Sequence, residues 1–185
     1  MAVPSAAFDF VQVPFSVNGA WVAKWNGDGT YGTPAGVFAN QAQIDVKQVS
    51  DSAKGNSAIV ATAALVESVD LTLDVVSIQF PVMSIFYANL NAASSAMFTD
   101  LGMGRLYAQY FGMIIESLSD SGTALRYLIP KLKVMSGITW KLGYGKLLVP
   151  QFKATGIWDV GLTNWIVDPR EYPSSATAIN FPPSW

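Results

Sequence analysis

Apolar and polar positions alternate along most of this chain with a period of two, the spacing of a strand that buries one face. The cleanest run is 68–75, SVDLTLDV. Val69, Leu71, Leu73 and Val75 face inward there and Ser68, Asp70, Thr72 and Asp74 outward, as in a half-buried antiparallel strand. Residues 18–25 alternate enough for a shorter strand, with Trp21, Ala23 and Trp25 opposed to Val22 and Lys24. The glycine-rich 26–36 segment reads as consecutive tight turns. Residues 41–67 are two extended runs about the turn-forming 51–56, a long β-hairpin. Two strands alone are marginal in water, so this hairpin should lie on something. Further strands are expected over 105–118, 138–144, 151–158 and 162–168.

The period breaks in two informative places. Pro81 opens a helix over 81–90, about three turns, with Val82, Ile85, Phe86 and Leu90 along one side. Within 124–134 the apolar positions are odd at Leu125, Tyr127 and Ile129, then even at Leu132 and Val134. Pro130 sits at the slip and donates no ladder hydrogen bond, which predicts a bulge that exchanges the two faces. The fold class that follows is mainly β: an antiparallel β-sandwich or barrel with one short α-helix and the long β-hairpin. Residues 1–185 form one domain, with extended arms at 1–17 and 169–185, the second proline-rich and expected to dock in extended form. Residues 91–104 read as loop.

Charge changes the picture. The chain has 11 Lys and Arg against 13 Asp and Glu, 13% of its residues, while 51% are hydrophobic. Average domains carry about 25% charged residues, so this surface is short of charge and part of it is expected to lie against other chains. The scarce charge is also uneven. Between Gly122 and Trp158 there is no acidic residue, whereas Arg126, Lys131, Lys133, Lys141, Lys146 and Lys153 are basic. Membrane insertion by a helix is not expected: the most apolar window, 75–90, is broken by Ser77, Gln79, Pro81 and Ser84. Residues 1–15 lack the pattern of a secretion signal.

Chemistry-bearing motifs are weak. Without cysteine or histidine the chain lacks the usual nucleophile, base and metal ligands, and no catalytic residue or cofactor is expected. Asn26 to Thr30 superficially suggests a calcium loop, but its twelfth position, Val37 or Ala39, is no carboxylate, and a turn is the better reading. The glycines near Arg105 and Lys146 lack P-loop spacing. Asp70 and Asp74, about 13 Å apart along one strand, are too far separated for paired acid–base work. Lysines near Tyr107, Tyr110, Trp140, Tyr144 and Phe152 raise single-stranded nucleic acid, yet alternation sets Trp140, Tyr144 and Phe152 opposite Lys141 and Lys153, which favours core aromatics.

Gly29 to Thr33 after the first strand, the alternating strand running into the helix at Pro81, Tyr110 to Ile114, Ile129 to Lys133, Leu142 to Gly145 and Pro150 to Gly156 together resemble the tail tube (major tail) proteins of long-tailed bacteriophages. The resemblance spans 20–168. It implies a structural, non-enzymatic virion protein whose hexameric rings stack into a tube that conducts DNA during ejection. Its partners would be other copies of itself, other tail proteins and DNA that passes unheld; its place would be the virion tail, after synthesis in the bacterial host cytoplasm. The hairpin would bridge neighbouring subunits or rings. Candidate contacts are Ile44, Val46, Asp51, Lys54, Ile59 and Glu67 on the hairpin, Asp70 and Asp74 on the next strand, and Lys131, Lys133 and Lys141 on the basic stretch. A bore lined with lysine would hold DNA, so these lysines are expected to face acidic groups of neighbouring subunits, Asp45 among them. Other virion ring or cap proteins, such as a tail terminator, connector or capsid decoration protein, share the composition. A carbohydrate-binding sandwich would present Trp21, Trp25 and Trp165 as platforms.

Overall fold

A computed structural model of the chain describes residues 16–55, 58–77, 80–88, 108–118, 123–135, 151–157, 168–174 and 177–182. In order, the elements are β1 (Ser16–Lys24), β2 (Ala35–Gly55), β3 (Ala58–Ser77), α1 (Phe80–Phe86), β4 (Tyr110–Leu118), β5 (Ala124–Val134), β6 (Gln151–Gly156) and β7 (Asp168–Tyr172). The strands run β4-β1-β2-β3-β6-β5 around a sheet that closes through β4–β5 pairing, a six-stranded antiparallel barrel. Closure pairs the edges that an open sheet would leave exposed.

The barrel interior is filled. Val22, Val69, Leu71, Leu73, Val75, Met113, Ile129 and Leu132 are fully buried within it. The alternation of 68–75 therefore places its apolar face as expected. At one end α1 acts as a plug: Val82, Met83 and Phe86 are buried, and the Phe86 ring lies 4.8 Å from both Phe111 and Phe152. The helix spans seven residues, shorter than the expected 81–90. Tyr87 leaves it for a β-bridge with Ala108, and the Gln109 amide donates to the Phe86 carbonyl, ending the helix there. Residues 89 and 90 lie outside the described segments.

Two expectations need correction. The second hairpin run and the alternating 68–75 strand are a single strand, β3, because the pairing with β2 runs, through several register shifts, from Phe38↔Ser77 to Gly55↔Ala58. A one-residue irregularity beside Glu67 is what interrupts the alternation in sequence. The segment after Asp168 is also less of an arm than expected: residues 168–172 are β7, antiparallel to β5, and β1 already begins at Ser16. The expected strands at 138–144 and 162–167, the loop at 91–104 and the turn at 119–122 lie outside the described residues.

The bulge at Pro130 is present. Phe111 pairs with Leu132 and Met113 with Ile129, so Pro130 and Lys131 together face Gly112. The bulge also divides the other edge of β5: residues 124–128 pair with β7, whereas 132–134 pair with β6. A residue without an N–H sits where the strand changes partners. Its carbonyl is not idle, since the Tyr31 hydroxyl donates to it at 2.8 Å.

Candidate assembly surface

The outer wall of the barrel has two halves of different character. Over β1, β4 and the first part of β5 it is covered by the chain itself. Ala23, Ile114, Leu128 and Phe181 form a second buried cluster, with Trp21, Tyr31 and Ile179 packed against it. Gly112 is required here, because a Cβ at that position would drive into the rings of Tyr31 and Phe181.

Beneath this cover lies a buried ion pair. The Arg126 Nε donates to Glu116 Oε2 at 2.7 Å, with both side chains 1% exposed. Asn18 donates to the other Glu116 oxygen at 2.6 Å. Arg126 donates further to the Ala178 and Thr177 carbonyls and stacks 4.3 Å from the Tyr172 ring. Burying a carboxylate is affordable only when its lone pairs are filled this way. This corrects the view of Arg126 as one of six basic residues needing an outside partner. Before the bulge the outward even residues Ala124, Arg126 and Leu128 are buried, whereas the inward Leu125 and Tyr127 are half-buried. The signal in sequence was a single glutamate inside the apolar run 110–118.

The other half carries the candidate contacts. The β2–β3 pair leaves the barrel as a ribbon. Among the described residues, β2 pairs with β1 only at 35–37 and β3 pairs with β6 only at 69–74. Beyond Val46↔Val69 the two strands pair only with each other as far as Gly55↔Ala58, about 30 Å. The inward face of the ribbon emerges uncovered: Val69 is fully buried, whereas Val46 is 49% and Val66 44% exposed. Ile44 stays packed against the core. Glu67 is exposed at the irregularity. The side chains of Asp51, Lys54 and Ile59, and all of Lys141, lie outside the described positions.

Asp70 and Asp74 have partners within the chain. Lys47 makes an ion pair with Asp70, Thr155 donates to Asp70 at 2.8 Å and Gln151 donates to Asp74 at 2.7 Å. The Lys47 and Thr155 hydrogen bonds hold the Asp70 carboxyl below its usual range, and the Asp70 bond raises Lys47. Lys131 sits 3.8 Å from the Trp25 ring and Lys133 5.2 Å from Tyr110. Aromatics and lysines therefore do share a face here, although Phe152 points inward and Lys153 outward as expected. Lys133 and Lys153 belong to the same outward wall of β5 and β6.

The remaining motifs resolve simply. In the 26–30 loop, Asp28 Oδ1 accepts from both the Thr30 amide and its hydroxyl, and Gly27 and Gly29 have positive φ, the geometry of a turn. Trp21 is packed under the C-terminal segment and Trp25 meets Tyr110 edge-on at 5.6 Å, so neither ring is a bare platform. No helix among the described residues is long and apolar enough to cross a membrane. No family model matches the chain, and no curated protein matches it.

Proposed function

We propose that this chain is a structural virion subunit that assembles with copies of itself into stacked hexameric rings, forming the tail tube through which a long-tailed phage ejects DNA. The observation that carries this reading is the β2–β3 ribbon. Among the described residues it leaves a closed barrel with both edges unpaired beyond Val46↔Val69, and Val46 and Val66 are exposed on it. A free two-stranded ribbon is marginally stable, and open edges invite pairing with another chain. The ribbon is suited to lie on a neighbouring subunit or on the next ring. The plugged barrel gives no passage for DNA, so the conduit would be the space enclosed by a ring of subunits. Other tail proteins would meet the ends of the tube, and DNA would pass without being bound.

The test is negative-stain electron microscopy of the purified protein. Long tubes are the expected result. Discrete rings would instead favour a tail terminator or connector, and a monomer with glycan binding would favour a carbohydrate-binding module. In an assembled ring, Lys131, Lys133 and Lys141 all lining the bore would count against the charge argument.

A further inference from the structure

Four exposed apolar side chains lie on the outer wall of the barrel, away from the part covered by Phe181 and its neighbours. Val37, Val75 and Val134 are buried, so by alternation Phe38, Val76 and Met135 project outward, at 64%, 46% and 68% exposure. Ile157, 41% exposed, follows the buried Gly156 at the end of β6. These lie along β2, β3, β6 and the part of β5 beyond the bulge. The wall on the other side of the bulge is the one covered by Phe181 and its neighbours.

The same face is electrically divided. The register sets Asp45, Asp70, Thr155, Lys133 and Tyr110 in one row across four adjoining pairs of strands. On the β2–β3 side Asp45, Glu67 and Asp70 lie around Lys47, and Asp74 stands further along β3. On the β6–β5 side stand Lys153, Lys133 and Lys131, in a stretch of sequence without any carboxylate. Asp45 and Lys133 are three strand spacings apart, about 14 Å. That exceeds the screening length of about 8 Å at physiological salt, so Asp45 and Lys133 are screened from each other, while Lys153 between them acts on Asp70.

We propose that this face is the docking surface for a second copy of the chain, with the acidic β2–β3 side of one copy seated on the basic β5–β6 side of the next. The inference rests on the self-assembly reading above and deepens it by naming the surfaces. Such a contact uses two different patches, so each copy offers one free patch of each kind and the contact propagates into a closed ring or a filament. Phe38, Val76, Met135 and Ile157 supply the apolar area that the charges orient.

The experiment is sedimentation velocity on the full chain, comparing wild type with Lys133→Glu plus Lys153→Glu, with Asp45→Lys plus Glu67→Lys, and with all four changes together. All four positions are on the surface, and circular dichroism checks the fold of each variant. Each pair alone should weaken self-association about a hundredfold or more, because like charges across an interface cost several kcal/mol. The fourfold variant, in which the signs are exchanged, should recover assembly. Wild type that assembles but is indifferent to both pairs, or a fourfold variant that stays dissociated, overturns the docking surface and leaves the tube reading standing. Wild type that remains monomeric throughout overturns both.

Discussion

Arg126 and Glu116 are the residues on which the covered half of the barrel depends. Their pairing joins β4 to β5, and the remaining guanidinium donors hold the 177–178 carbonyls. Removing one partner of a buried pair leaves an uncompensated charge, which costs about 3–5 kcal/mol. Arg126→Ala should lower stability by that amount in chemical denaturation, and limited proteolysis should then cut within 173–182. Replacing both residues by apolar ones, Arg126→Met with Glu116→Leu, should cost less than Arg126→Ala alone, since no charge is left behind. Asp70 gives a pH signature. Its folded pKa is depressed by Lys47 and Thr155, so its contribution is present above the unfolded carboxyl value of about 3.9 and is lost as the pH falls through the folded value. Thermal melts of wild type and Asp70→Asn should differ near neutral pH and converge in acid. Lys47 has the opposite sign: its folded pKa is raised, so its contribution is present below the unfolded value of about 10.4 and is lost as the pH rises through the folded one.

At the scale of elements, the barrel and the ribbon are separable in energy. The fully buried side chains of β3, from Val69 to Val75, belong to the barrel, and beyond Val69 the ribbon pairs, among the described residues, only along its own ladder. Excising residues 48–67 and joining Lys47 to Ser68 through a two-residue Asn-Gly turn should therefore leave the barrel folded. Its unfolding midpoint should stay within a few degrees of wild type, a stability change of about 1 kcal/mol or less. Self-assembly, read by light scattering, should be lost. A variant that still polymerises would show that the ribbon is not the element that joins subunits. The bulge at Pro130 is the second element-scale device. By letting β5 pair first with β7 and then with β6, it divides the outer wall into a half covered by the C-terminal segment and a half where described side chains such as Met135 and Ile157 are exposed.

For the whole molecule, the low charge content and the closed barrel are parts of one account. Sheet edges are paired around the barrel, and among the described residues the exposed large apolar side chains lie on the ribbon and on the wall beside it. Edge strand β7 is short and carries Asp168, Pro169, Arg170 and Glu171, features that discourage further pairing at that side. The proposed assembly would use these surfaces, a restricted distribution of the kind that ordered assembly needs.

Local periodicity was enough to read the strand character, the inward set Val69 to Val75, the pairing of the two long runs and the exchange of faces at Pro130. Each depends on neighbours in sequence or on the fixed geometry of a pleated strand. The sequence could not reveal that 58–77 is a single strand, because Glu67 interrupts the odd apolar positions at an irregularity that does not end the ladder. Nor could it show that Arg126 is buried on Glu116, that Tyr31 and Phe181 fill the gap over Gly112, or that Lys131 lies on Trp25. Those partners are brought together from distant parts of the chain, and only barrel closure and the docking of the C-terminal segment decide which charges are left facing outward.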